Sequence, residues 1–248
     1  MIIYMKIITS RTNETVKKIL KLHAKKGRDQ YGLFIAEGIR TIETLLRSSL
    51  SLHQLYTTEH ISSIECPDTL ITYITPEVME KISGTHNSSG YLALFVIPKN
   101  NVNHLQHGVV LANISDPGNM GTLIRTATAL ALPSIVVIDG CDPWSPKVVQ
   151  ATAGTIGSAH IIQTTWESFT KAAQHKTICA LVVKDGNHPR TLPSHDYFLV
   201  IGNEAHGIPD NWLAQCSCSI TIPMPGNTES LNAGVAGSIA MYLATDQS

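Results

Sequence analysis

The C-terminal stretch "IPMPGNTESLNAGVAGSIAMYLA" (residues 222–244) joins a Pro/Gly-rich loop to a helix-like segment made almost wholly of small residues. Helices that pack on a globular core ordinarily bury large apolar side chains on one face. Here that face is reduced to Gly, Ala and Ser, with Ser-Leu-Asn at its entrance. An N-cap at Thr228 or Ser230 accounts for one residue. It leaves Asn232 and the run of small residues unexplained.

Upstream of this stretch, from Gly108 onward, apolar runs alternate with helix-like segments. The runs are "VVLANI", "SIVVID", "AHIIQT", "TICALVV", "YFLVIG" and "SITIPM"; between them lie "NMGTLIRTATALA", "SPKVVQATAG", "WESFTKAAQ" and "PDNWLAQ". Strands apolar on both faces and alternating with helices predict an α/β domain with a mostly parallel sheet covered on both sides. Ligands in such sheets bind at the carboxyl ends of the strands. That directs attention to Asn113–Asp116, Val182–Gly186, Gly202–Gly207 and Pro223–Asn232.

The first hundred residues read as a smaller α/β unit. "NETVKKILKLHAKKG" predicts one helix capped by Asn13 and stopped by Gly27, "YGLFIAEG" a strand, "IRTIETLLRSS" a helix and "LHQLYTT" a strand. "TPEVMEKIS" predicts a short helix with Thr75 as cap, and "YLALFVIP" a strand. The polar segment 98–108 marks the boundary, giving domains 1–100 and 108–248. Residues 1–50 hold ten Lys/Arg against four Asp/Glu, although the whole chain carries a formal charge of −1. A basic cluster at one end suits a nucleic-acid contact, and equally a solvated helix face. No apolar run reaches membrane-spanning length, and the N-terminus lacks the features of a signal peptide. Five scattered cysteines suggest reduced thiols in a cytosolic protein, and no Cys/His cluster has metal-ligand spacing.

Two further strand ends carry chemistry-bearing residues. In "NISDPGNMGTLIRTATAL" a strand ends at Asn113, a tight turn follows, and a helix begins with a buried stripe of Leu123, Ala127 and Leu130. Arg125 falls on another face beside short neighbours, where it can grip a phosphate in bidentate fashion. A turn, a cap and a surface arginine account for the same residues. In "VIGNEAHGIP" Glu204 stands in a tight loop between Gly202 and Gly207, a backbone path that favours a functional loop over a merely solvated carboxylate. There is no G-x-G-x-x-G opening a helix after a first strand, no Walker A motif, no G-x-S-x-G elbow and no H-E-x-x-H.

Together "DPGNMGTLIRTA", "IGNEAHGI" and the 222–244 stretch resemble, in order, the three motifs of the SpoU/TrmH branch of the SPOUT RNA methyltransferases. The N-terminal "TSRTNETVKKILKLHAKKGRDQYGLFIAEGIRTIETLL" is similar to the L30e-like substrate-binding domain of many members. The resemblance implies a trefoil knot in the C-terminal domain, S-adenosylmethionine bound in the knot, a homodimer, and methylation of a ribose 2′-hydroxyl. Carried over by motif position, Gly202, Ile222 and Leu231 would contact the cofactor, and the loop at Val182–Val183 would close over the adenine. Asn113, Arg125, Glu204, Ser230 and Asn232 would form the reactive site. Ala233-Gly234 departs from the Val-Ser or Val-Ala usual there, but stays small.

The resemblance implies a cytoplasmic enzyme with no metal and no membrane partner. The L30e-like segment, and the lack of a highly basic C-terminal extension, favour ribosomal RNA over transfer RNA as substrate. Rival readings are a transfer-RNA 2′-O-methyltransferase, an RNA-binding protein whose knot domain is inert, and a small-molecule methyltransferase. The presence of Arg125, Glu204, Ser230 and Asn232 together argues against an inert domain. The basic N-terminal helix argues against a small-molecule substrate.

Overall fold

A computed structural model describes residues 7–59, 64–84, 88–99, 102–193, 195–226 and 229–245; Thr228, one of the two expected caps, lies outside them. The chain divides into two compact units: residues 1–98 with 144–158, and 99–143 with 159–248.

The first unit opens with β1 (Ile7–Ile8), α1 (Glu14–Leu22) and α2 (Lys25–Tyr31). Asn13 caps α1 as expected, its Oδ1 accepting from the Thr15 N–H at 2.8 Å. The single helix expected over this stretch is two, however, because the chain turns after Leu22. The buried Arg28 guanidinium donates to the Leu22 and His23 carbonyls at 2.7 and 3.0 Å and so closes the end of α1. Gly27 does not stop the helix. It lies inside α2, where a Cβ would fall 2.0 Å from the Lys21 carbonyl oxygen, and the left-handed Gly32 ends α2 instead.

The unit continues with β2 (Leu33–Glu37), α3 (Ile39–Leu46), β3 (Leu52–Thr57), β4 (Ile71–Ile74), α4 (Pro76–Ile82) and β5 (Tyr91–Val96). Thr75 precedes α4 as expected, but its side chain makes no capping hydrogen bond. The sheet order is β1-β4-β3-β5-β2, parallel around β4 and antiparallel around β5. Val16, Ile19 and Leu22 of α1 join Ile35, Leu94, Val78 and Ile82 in one core. Each such side chain contributes roughly 1.5–3 kcal/mol by burial.

The second unit is built on β6 (Gly108–Ala112), α5 (Pro117–Ala129) and β7 (Ser134–Ile138). The following residues, 144–158, count with the first unit and contain α6 (Pro146–Ala151). Their anchors there are Trp144, whose ring lies 5.1 Å from that of Phe34, and Gly154 and Gly157, which abut Thr44 and Ser48 of the first unit. The second unit resumes with β8 (Ile161–Gln163), α7 (Trp166–Ala172), β9 (Thr177–Leu181), β10 (Tyr197–Ile201), α8 (Asp210–Leu213), β11 (Cys218–Ile220) and α9 (Ala233–Thr245).

Its six strands run in the order β11-β9-β10-β6-β7-β8, and every pair is parallel. β6, first in the chain, lies in the interior of the sheet. The chain winds outward from it to β8, crosses to β9 and returns to β10 beside β6. The carboxyl ends of β6 and β10 therefore meet at the point where the winding changes direction.

The cysteine expectation needs correction. Cys179 of β9 and Cys218 of β11 are direct neighbours in the parallel register, with Cα atoms 4.7 Å apart, and form a disulfide. Cys66, Cys141 and Cys216 are free. Burial pushes the Cys141 and Cys216 thiols up to about 11, so both are held as unreactive thiols at neutral pH.

Candidate active site

The residues after β6, β10 and β11 converge on the switch point. After β6, Asp116 caps α5, its side chain accepting from the Asn119 N–H at 2.8 Å. After β10, the chain folds back on itself through an Asn203–Gly207 bridge. Gly202 begins that turn, and a Cβ there would stand 2.4 Å from the Gly207 carbonyl carbon, a backbone atom that cannot yield.

Glu204, in this turn, ties the two strand ends together. One carboxylate oxygen accepts from the Ser115 N–H at 3.3 Å; the other accepts from the Asp116 N–H at 3.3 Å and the Asn119 side-chain amide at 2.9 Å. Partial burial pushes its pKa up, but the donors from Asn119, its own backbone, Ser115 and Asp116 outweigh burial and hold it below the ordinary 4.5. Its acceptors are thus spent on the β6–α5 turn. Asn203 closes the same seam with all four of its amide positions. Its Nδ2 donates to the Asn113 carbonyl and the Ser115 hydroxyl at 2.9 and 3.0 Å, while Oδ1 accepts from the Ala205 and His206 N–H groups.

Because the carboxylate is favoured in the fold, the clamp is complete above the ordinary carboxylate pKa and is lost as pH falls through the lowered folded value. Glu204→Gln places an NH2 against groups that already donate. One donor left unpaired costs about 1–3 kcal/mol. The expected result is a roughly tenfold or larger loss of cofactor affinity by calorimetry, together with loss of the acid limb of its pH dependence.

Beside this clamp lies a cavity of about 270 Å³. Val182, Val183, Gly202, Ile222 and Leu231 all line it, and so do Glu204 and Ser230. Leu181, Ile201, Met224 and Ala236 add to a wall with more apolar than polar surface, suited to a flat aromatic group. Three expected site residues are not among its lining. Arg125 stands exposed on α5. Asn113 faces a neighbouring recess. Asn232 caps α9: its side-chain oxygen accepts from the Val235 N–H at 3.2 Å and its carbonyl from Ala236 at 2.8 Å. The cap is thus Asn232 itself, and not Ser230.

Sequence reasoning passed over Asn119 and Asn203. Both stand inside the quoted motifs, and their roles as bridges appear only when β6 and β10 are side by side. Asn119 is buried, and its side-chain oxygen also lies 2.9 Å from the position a Cβ would take at Gly234. It therefore touches the loop after β10 and the start of α9 at once. Among the described residues no three His, Cys, Asp or Glu side chains gather as a metal site, and no helix is long and apolar enough to cross a membrane.

The three converging segments fall within one match: the SpoU rRNA Methylase family profile covers residues 106–242, more than half of the chain. The chain belongs to the SpoU rRNA methylase family. The N-terminal part, residues 13–93, matches an MRM3-like substrate binding domain, as expected of a substrate-binding domain there. Among relatives of this SpoU chain, a 23S rRNA (guanosine(2553)-2′-O)-methyltransferase of Bacillus subtilis is 26% identical over 247 residues, covering 96% of this chain and 98% of the relative. A 23S rRNA (uridine(2479)-2′-O)-methyltransferase of Streptomyces viridochromogenes is 30% identical over 152 residues, 56% of this chain and 52% of that one. The AdoMet-bound rRNA methyltransferase from Sinorhizobium meliloti superposes with a TM-score of 0.84 at 26% identity, covering 96% of this chain and 97% of that one.

Proposed function

We propose that this SpoU protein transfers the methyl group of S-adenosylmethionine to a ribose 2′-hydroxyl of ribosomal RNA in the cytoplasm. The observation that carries this reading is that the second and third motif segments line one cavity, to which the Glu204 clamp ties the first. The residues present fit the cofactor: an apolar slot between Val182 and Ile222 takes the adenine, and Ser230 and the backbone at Gly202 and Leu231 take the polar parts. Bound there, S-adenosylmethionine supplies an electrophilic methyl on a positively charged sulfur. The negative charge of Glu204 at the cavity wall favours that cation over a neutral ligand.

The chain's own residues must then hold the hydroxyl in line and ease loss of its proton. Arg125 carries only donor N–H groups and offers no acceptor for that proton. It grips the neighbouring phosphate, whose oxygen takes up the proton, and so fixes the ribose. Glu204, with Asn119, keeps the β6–α5 turn and the loop after β10 at fixed separation. Ser230 hydrogen-bonds within the site, and Asn232 holds the start of α9 against it.

Arg125 lies outside the cavity lining of its own chain, on the helix against which α9 packs through a 2.9 Å Thr126–Ser238 hydrogen bond. Along α9, Val235, Ile239 and Tyr242 follow at helical spacing and are 47%, 36% and 56% exposed. This apolar stripe is the face of a homodimer in which a second copy completes the site. The final segment runs from edge strand β11 back to α5, and threads a loop of the same unit to make the trefoil knot.

The first unit binds the RNA through its lysines. Arg11 bonds the Glu77 carbonyl and Glu80, and Arg28 is buried, so neither arginine carries the contact. Lys21, Lys25 and Lys26 are exposed, and Lys18 lies 5.2 Å from the centre of the Tyr31 ring. Replacing these four lysines by serine is expected to weaken rRNA binding at low salt. It is also expected to flatten the slope of log K against log salt by roughly 0.7–0.9 for each phosphate that is no longer neutralised. Filter binding across a salt series measures both.

The function itself is tested with tritiated S-adenosylmethionine and stripped rRNA from cells lacking the gene. Label is expected in dinucleotides that resist alkali, since a 2′-O-methyl group blocks hydrolysis at that position. Label confined to small molecules or to bases overturns the assignment.

A further inference from the structure

The loop 202–207 has a second side. Next to the cofactor cavity, with Asn203 and Gly207 as walls common to both, lies a recess of about 500 Å³ that Asn113, Ser115, Gly140, His206 and Pro209 also line. Gly140 can only be glycine there: a Cβ would stand 2.3 Å from the Ile114 carbonyl oxygen, so no side chain fills the floor. Asn203 spends its whole amide on the seam and serves as wall. Ser115 is likewise engaged, accepting from Asn203 and donating to the Asn113 carbonyl at 3.2 Å. The Asn113 amide and the His206 ring, by contrast, make no hydrogen bond, ion pair or ring contact with any described residue.

We infer that this recess receives an unpaired nucleobase of the substrate RNA, read by Asn113 and His206, while the ribose of the same nucleotide faces the cofactor cavity across the loop edge. The inference rests on the proposed ribose methylation. A nucleotide's 2′-oxygen and its base are held on opposite sides of one sugar ring, and the two spaces are separated by one turn of chain. An asparagine amide pairs a donor and an acceptor with a base edge, as it does in reading adenine. The imidazole of His206 offers ring nitrogens to a base edge and a flat face on which an unstacked base can lie. Asn113 thus selects the base, and its place in the reactive site is that of a specificity residue rather than a participant in methyl transfer.

The test uses the full-length enzyme and short transcripts spanning the methylated nucleotide, mapped first on rRNA from cells lacking the gene, with each of the four bases at that position. Wild-type enzyme is expected to favour one base in kcat/KM. Asn113→Ala and His206→Ala are each expected to lower kcat/KM on that base by roughly ten- to a hundredfold. Both are expected to leave the poorly used bases near their original rates, and cofactor affinity unchanged. The preference collapses instead of the activity. His206 is exposed at the loop tip, so its replacement keeps the test valid even if Asn113→Ala fails to fold. Equal losses on all four bases, no loss, or a wild-type enzyme indifferent to the base each overturn the inference and leave the methyl-transfer reading standing. No alkali-stable label in any transcript refutes that reading and the recess with it.

Discussion

Arg125→Ala is expected to lower methyl transfer to rRNA by about a hundred- to a thousandfold in kcat, the usual cost of removing one preorganised charge partner at a reacting centre. Cofactor affinity should stay at the wild-type level, because Arg125 is exposed on α5 and does not line the cavity. The melting temperature should also hold, since the side chain has no hydrogen-bond or ion-pair partner among the described residues. Arg125→Lys keeps the charge and loses the planar fork, so it should recover only part of the rate. Single-turnover kinetics with saturating cofactor separate these effects. Unchanged turnover in Arg125→Ala removes the arginine from the mechanism. Lost cofactor binding contradicts its placement outside the cavity.

The second large effect is on stability. Gly237 lies in the middle of α9 against α5 and β10, where a Cβ would stand 2.4 Å from Leu123 Cδ2 and 2.6 Å from Ile201 Cδ1. Both neighbours are buried, with 0% and 2% exposure; their ends can give by the width of a methyl group, but not by that of a leucine side chain. Gly237→Leu therefore overpacks a place where α9 meets the sheet, at a cost of about 3 kcal/mol or more. For a chain of this size that lowers the melting temperature by roughly 6–12 °C, and more if the helix is displaced. Gly237→Ala meets only the flexible ends of the same two side chains and should cost less. A thermal melt that ranks wild type, alanine and leucine in that order supports close packing of α9. A Leu variant as stable as wild type contradicts it.

Much of the second unit was legible because its strands are fully buried. "SIVVI" and "YFLVI" have no polar face, and such runs between amphipathic helices admit a parallel sheet and little else. The motif glycines and Glu204 were legible as well, since their spacing implies a special backbone path. Two strands of the first unit escaped notice. β1 has only two residues, and β4 reads "ITYI" with three of its four positions half-buried, so neither has a clear period. The break between α1 and α2 depends on Arg28 turning inward onto the Leu22 and His23 carbonyls just before it, where charge counting assigns an arginine to solvent. The anchoring of residues 144–158 in the first unit, through Trp144 and Phe34, was hidden because it joins distant parts of the sequence. A crossover helix between two strands gives no local sign of where its far side packs. The Cys179–Cys218 pair needed the register of β9 and β11, and the bridging roles of Asn119 and Asn203 needed β6 beside β10.

The small residues of 222–244 also take on a definite meaning. Gly234, Gly237 and Ala240 are buried on the side of α9 that meets α5 and β10, whereas Val235, Ile239 and Tyr242 point away. The helix is slim on its inner face and apolar on its outer one.

Ribosomal methyl transfer is tested by mapping 2′-O-methylated nucleotides across all ribosomal and transfer RNA from cells with and without the gene, using resistance to alkaline cleavage as the readout. One ribosomal position is expected to lose its protection when the gene is absent and to regain it on complementation with the wild-type gene, but not with Arg125→Ala. An unchanged ribosomal map, or a lost methyl confined to transfer RNA, would contradict that expectation.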